Sequence, residues 1–74
     1  MRYKKFRSQE EVRDILVLEM NKHKVRKTTL ALEMSVSYPT ILSKLDRPFS
    51  FSVSELLLVC DFLNLNMNDL LIKY

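Results

Sequence analysis

The chain has 74 residues, of which 47% are hydrophobic, and carries a net charge of +3. This composition allows one small compact core and contains no apolar run of the roughly 18 residues that a membrane-spanning helix needs. The absence of glycine excludes Gly-rich phosphate loops, and the single Cys60 cannot form an internal disulfide. Because MRYKKFRSQEE lacks the apolar centre of a signal peptide, we expect a cytoplasmic protein with no membrane partner.

The first seven residues, MRYKKFR, are predicted to form a basic N-terminal arm, followed by a single domain over residues 8–74. Residues 1–27 hold nine Lys/Arg against four Asp/Glu, whereas residues 28–74 hold three against five. Cations concentrated at one end suggest a polyanionic partner. A basic end that is simply solvated is the alternative, and composition does not choose between them.

A first helix is predicted to begin at Ser8, because Ser8 and Glu11 have the spacing of a capping box. It runs to about residue 22, and Val25 then returns to the core after a polar link. The apolar face predicted for this helix comprises Val12, Ile15, Leu16, Leu18 and Met20.

Two short helices follow, from about Lys27 to Met34 and from about Tyr38 to Leu45. Ser37 is placed to cap the second of them, and Pro39 falls in its first turn, where a missing N–H costs nothing. The spacing directs Ile41 and Leu45 inward. The residues predicted on the inner face of the earlier helix are Leu30, Ala31 and Met34.

The C-terminal third is predicted to hold two more helices. Pro48 ends the third helix, and Phe49 and Phe51 then alternate with serines in a short extended loop. Ser52 or Ser54 caps the fourth helix, and Asn64 takes a left-handed conformation after it. A fifth helix runs from Met67 to about Lys73, with Leu70 and Leu71 buried. Inward positions of the fourth helix are Leu56, Val59, Cys60 and Leu63. The predicted fold is therefore all-α, with five helices.

Two motifs in this chain resemble the phage repressor/Cro-like (XRE-type) helix-turn-helix family. Ala31-x-x-x-Ser35-Val36-Ser37-x-x-Thr40-Ile41 is similar to that family's A-x-x-x-G-V-S-x-x-T-I core. Residues 63–71, LNLNMNDLL, are similar to its L-G-V-S-x-x-x-L-L signature. The resemblance implies a lambda-repressor-like fold and a DNA-binding transcriptional regulator, repressor-like or Cro-like. Ser35 and Asn64 stand where the family has turn glycines.

The resemblance also implies roles for individual residues. The third predicted helix would enter the major groove, and the implied base contacts are Ser37, Tyr38, Pro39, Leu42 and Ser43. The implied phosphate contacts are Lys27, Thr28, Lys44, Arg47, Arg2, Lys4 and Lys5. A homodimer on half-sites about 34 Å apart is expected. Its predicted dimer surface comprises Met67, Ile72 and Tyr74, and the Tyr3/Phe6 arm is the alternative.

The chemistry of the expected base-reading face leaves a second function open. It has no Arg, Asn or Gln to make bidentate contacts with guanine or adenine. Tyr38, Pro39 and Leu42 suit thymine methyl groups, but they would equally suit a protein partner, as in an anti-repressor or co-repressor. No catalytic constellation, metal set, cofactor motif or small-molecule site is evident, because His23 and Cys60 lack companions.

Overall fold

The computed structural model describes residues 4–73, with side chains for residues 5–72. In this part of the chain, four α-helices are accompanied by a two-stranded antiparallel sheet. The elements are β1 (Lys4–Phe6), α1 (Gln9–Lys22), α2 (Lys27–Met34), α3 (Tyr38–Asp46), α4 (Val53–Phe62) and β2 (Leu71–Lys73). No helix among the described residues is long and apolar enough to cross a membrane.

The first helix begins where the capping box predicts. The Ser8 hydroxyl accepts a hydrogen bond from the Glu11 N–H at 3.2 Å, and the Glu11 carboxylate accepts one from the Ser8 N–H. Val12, Leu16 and Met20 are buried, four residues apart on one stripe. Leu18 is exposed, so its predicted place on this face is wrong. It lies about 200° around the helix from Leu16, opposite the stripe.

The connection between α2 and α3 is a tight turn with a left-handed residue at Ser35, whose φ is 56°. The Val36 N–H donates to the Ala31 carbonyl at 3.0 Å, which closes the end of α2. The Ser37 side chain then accepts from the Thr40 N–H at 3.3 Å and begins α3. This segment confirms the predicted pair of helices and its turn.

The segment that follows α3 differs from the predicted extended loop. Pro48–Ser50 forms a turn of 3-10 helix, because the fixed φ of Pro48 suits it and the Ser50 hydroxyl donates to the Arg47 carbonyl at 2.6 Å. Of the two predicted caps for α4, Ser52 is the one used, and Glu55 completes its capping box.

The end of α4 agrees with its prediction. The inward residues are buried, and Asn64 has a φ of 54° in place of a glycine. Lys24, in the link between α1 and α2, also has a left-handed φ of 56°, which no feature of the sequence predicted.

The predicted fifth helix is wrong. Asn66 caps only one turn of 3-10 helix, Met67–Leu70, and the chain then becomes β2, which pairs with β1 in the register Lys4 to Lys73, Lys5 to Ile72 and Phe6 to Leu71. A strand from the far end of the chain satisfies these backbone groups, so the segment does not continue as a helix. Residues 4–73 thus form a mostly helical fold with four α-helices, whereas the sequence predicted an all-α fold with five helices.

One hydrophobic core holds these elements together. It draws on every α-helix and on the 3-10 turn before β2, where Leu70 is fully buried and Leu71 only half-buried. The largest fully buried side chains are Leu16, Leu30, Ile41, Leu63 and Leu70. Ile15, Val25, Met34 and Met67 pack against its margin. The core fixes the back of α3 and leaves its front at the surface.

Candidate nucleic-acid interface

The front of α3 is the surface that the sequence singles out. Ile41 and Leu45 lie in the core, whereas the opposite side of the helix is open to solvent. We call this exposed side the α3 face, and it comprises Ser37, Tyr38, Pro39, Leu42 and Ser43. All of them are exposed except Leu42, which is half-buried. The structure therefore places the five predicted base-contact residues around the exposed side of one short helix.

The hydroxyl of Ser37 is already engaged within the helix. Besides capping α3, it lies 2.7 Å from the Thr40 hydroxyl. Thr40 was not among the predicted site residues, although the capping position of Ser37 three residues earlier is a signal that could have found it. A shallow cleft beside Thr40 is also lined by Pro39, Ser43, Lys44 and Ser50. Hydroxyl groups therefore line this side of the α3 face.

Lys44, one of the predicted phosphate contacts, is paired with a carboxylate of its own chain. Its ammonium lies 2.8 and 2.9 Å from the two carboxylate oxygens of Glu55, and 5.9 Å from the centre of the Phe51 ring. The hydrogen bond from Lys44, with a second from the Ser52 backbone, lowers the pKa of Glu55. To contact a phosphate, the ammonium would have to leave this carboxylate or share its hydrogen bonds with it. The pair instead connects α3 to the start of α4.

The other edge of the α3 face adjoins α1 and α2. Leu42 lines a cleft there with Arg13, Val17, Lys27 and Asp46, and Leu45 forms part of its wall. Arg13 lies 3.7 Å from Asp46 and so links α1 to the end of α3. The sequence did not single out Arg13, since nothing local reveals which side of α1 adjoins α3.

Three predicted phosphate contacts lie on helix ends near this surface. Lys27 and Thr28 are the exposed first residues of α2, and Arg47 is the exposed residue that ends α3. Neither Lys27 nor Arg47 forms an ion pair with another described residue. These two side chains are therefore available to an external anion.

The predicted basic arm is a strand over Lys4–Phe6, where it pairs with β2. Lys5 is exposed on β1, while Arg2, Tyr3 and the Lys4 side chain lie outside the described residues. The Phe6 ring packs edge-on against Phe49, with centroids 5.8 Å apart. Residues 4–6 of the predicted basic arm thus form a strand, and β2 supplies their backbone hydrogen-bond partners.

The residues of the predicted dimer surface do not share one helix, because Met67 belongs to a 3-10 turn and Ile72 to β2. Met67 packs against the core with its sulfur 3.9 Å from the Cys60 sulfur. Ile72 is half-buried in β2 opposite Lys5, and Tyr74 lies outside the described residues.

The structure also defines the surroundings of His23 and Cys60. His23 ends α1 with its Nε2 3.4 Å from a Glu19 oxygen. Burial raises the pKa of the Cys60 thiol, which disfavours the reactive thiolate. The described residues contain no cluster of His, Cys, Asp and Glu that could hold a metal ion.

The fold and this surface define a compact, mostly helical domain that presents one short helix, supported from behind by the core. Comparison with protein-family models, curated proteins and solved structures finds no match to this chain.

Proposed function

We propose that the protein is a sequence-specific DNA-binding transcriptional regulator, repressor-like or Cro-like, with α3 as its recognition helix in the major groove. The observation that carries this proposal is the arrangement of α2 and α3. A left-handed turn at Ser35 joins them, the core holds the back of α3, and its front is exposed. A helix of 9 residues supported in this way matches the recognition helix of a helix-turn-helix domain. A lambda-repressor-like fold belongs to the same proposal.

Binding affinity would come mainly from phosphate contacts. Lys27, Thr28 and Arg47 flank the α3 face, and the two cations have no ion pair with a described residue. Arg2, Lys4 and Lys5 could add contacts from the N-terminal side. We leave Lys44 out of this set because Glu55 neutralises it. A homodimer would let two such faces contact consecutive half-sites of an operator.

Sequence readout by this face would be modest. Tyr38, Pro39 and Leu42 offer apolar contacts to thymine methyl groups, and Ser43 offers a single hydroxyl. No Arg, Asn or Gln is present on the α3 face. The preferred operator should therefore be rich in A·T pairs, with part of the specificity coming from DNA shape.

The direct test is selection of bound DNA from a random double-stranded oligonucleotide pool, followed by sequencing. The selected DNA then serves in a fluorescence anisotropy titration at 50 to 200 mM salt, with Lys27→Ala beside Lys27→Arg. We expect Lys27→Ala to weaken binding to every DNA sequence. It should also reduce the slope of log affinity against log salt concentration by about one, because one fewer counterion is released. Lys27→Arg retains the charge, so its affinity for DNA and the salt dependence of that affinity should stay close to those of the native chain.

A second function is favoured by the chemistry of the α3 face itself. Tyr38 is 46% exposed, and with Pro39 and Leu42 it makes a largely apolar surface. Such a surface also suits a regulator that binds another protein, in the manner of an anti-repressor. If the random pool yields no enriched sequence and binding is absent at 50 mM salt, the protein-binding function replaces DNA binding.

A further inference from the structure

The Lys44–Glu55 pair lies at the edge of the α3 face that adjoins the start of α4. Lys44 lines the shallow cleft there together with Pro39 and Ser43, which belong to the α3 face. A DNA strand placed against α3 would therefore run beside this lysine. A lysine ammonium in such a position is an ordinary partner for a DNA phosphate. In the protein alone, however, its anionic partner is the Glu55 carboxylate.

The geometry of this pair is that of a strong ionic contact. The Lys44 ammonium lies 2.8 and 2.9 Å from the two carboxylate oxygens of Glu55. The two side chains are only 24% and 27% exposed, so water and salt screen their attraction less than they would at an open surface. The Arg13–Asp46 pair, at the opposite edge of the α3 face, has a separation of 3.7 Å and side chains that are 38% and 69% exposed. Lys44 is therefore held more firmly than Arg13.

The Glu55 carboxylate is fixed in place by its own helix. It also accepts a hydrogen bond from the Ser52 N–H at 2.8 Å, as part of the capping box that begins α4. The Phe51 ring, whose centre is 5.9 Å from the Lys44 ammonium, adds a weaker attraction. The hydrogen bond from Lys44 lowers the pKa of Glu55, so this carboxylate is ionised at neutral pH. Glu55 is thus a charged, preorganised partner that cannot follow Lys44 toward DNA.

We propose that Glu55 competes with DNA phosphate for the Lys44 ammonium and so limits the affinity of the α3 face for DNA. On DNA, Lys44 either stays with Glu55 and adds no phosphate contact, or leaves it. If it leaves, an unpaired carboxylate faces the negatively charged DNA backbone. Either course reduces what this cation contributes to binding. The inference rests on the proposed function, because it concerns the same DNA-binding surface.

The first test compares Glu55→Gln with the matched variant Glu33→Gln in anisotropy titrations. Both variants remove one negative charge, and Glu33 is exposed on α2 without an ion pair to a described residue. Glutamine also suits the capping box, and circular dichroism checks that each variant is folded. The probe is one duplex of about 20 base pairs of mixed sequence, at about 50 to 200 mM salt. At about 100 mM salt, Glu55→Gln should bind about fivefold more tightly than Glu33→Gln, with a salt slope steeper by about one, because the freed ammonium releases one more counterion.

The second test asks whether Glu55 acts through Lys44. In a Lys44→Gln background, Glu55→Gln should tighten binding by less than about twofold, because no ammonium is left to free. An equally large gain in both backgrounds would mean that the carboxylate repels DNA directly, and would overturn the proposal. If the native chain binds the duplex but Glu55→Gln binds no more tightly than Glu33→Gln, this inference fails and the proposed function stands. If none of these chains binds at about 50 mM salt, both fail.

Discussion

The segment from α2 to α3 and the two chain ends differ in the range of the interactions that determine their structure. Between Lys27 and Asp46, the turn, the cap and the buried side all follow from residues within a few positions of one another. At the chain ends, β1 and β2 form only by pairing with each other across more than 60 residues. Local signals therefore specify the proposed recognition helix, whereas a long-range contact specifies the terminal sheet.

The largest effect should come from breaking the buried side of α3. Ile41 is fully buried, so Ile41→Ala should lower the free energy of unfolding by about 3 kcal/mol through lost burial and the cavity left behind. Leu42→Ala, one residue away on the exposed side, should cost less than about 1 kcal/mol. Urea unfolding followed by circular dichroism measures both. Equal losses would mean that the two sides of α3 are not distinct.

A smaller effect is expected at the terminal sheet. Phe6→Ala removes the edge-on contact with Phe49 and part of an apolar cleft, which should cost about 1–2 kcal/mol. Leu32→Ala removes a more exposed side chain and should be nearly neutral. The same urea experiment compares them. A neutral Phe6→Ala would indicate that the contact between Phe6 and Phe49 contributes nothing to stability.

The turn between α2 and α3 should respond to glycine. Ser35 has a left-handed conformation, so Ser35→Gly should raise the free energy of unfolding by up to about 1 kcal/mol. Ser37→Ala removes the cap of α3 and should lower it by about 1 kcal/mol. Thermal unfolding would show shifts of opposite sign. A lower melting temperature for Ser35→Gly would contradict the left-handed turn.

The smallest effect concerns the pairing of Lys44 with Glu55, which links α3 to α4. Since the pKa of Glu55 is lowered in the folded protein, its contribution to stability is present above its ordinary pKa of 4.5 and is lost as the pH falls through the lower, folded value. Glu55→Gln keeps a residue suited to the capping box. This variant should flatten the loss of melting temperature between about pH 5 and pH 3.

The control for that prediction is Glu33→Gln, at an exposed carboxylate with no ion pair to a described residue. It makes the same change in charge but should leave the pH dependence close to that of the native chain. If both variants alter the pH profile equally, the effect belongs to net charge rather than to the Lys44–Glu55 pair.

The parts of the fold that could be predicted are those with short-range physical signals. Capping serines, a proline in the first turn and apolar spacing located the four α-helices of the described residues and their inward residues, with Leu18 as the exception. The prediction of a helix over Met67–Lys73 was wrong because the apolar residues of LLIK suit a strand as well as a helix. Pairing with β1 selects the strand, and the local sequence does not reveal that pairing. The same limit applies to the site. The exposed α3 residues were predictable, whereas the engagement of Lys44 by Glu55 and the proximity of Arg13 depend on tertiary contacts.

The most direct test of the central claim, that α3 is a DNA recognition helix, compares Tyr38→Ala with Leu32→Ala in anisotropy titrations. Each variant is measured against the selected operator and against a scrambled duplex at one salt concentration. We predict that Tyr38→Ala reduces the preference for the operator by about tenfold, while Leu32→Ala retains it. A Tyr38→Ala chain that discriminates as well as the native chain would contradict the claim.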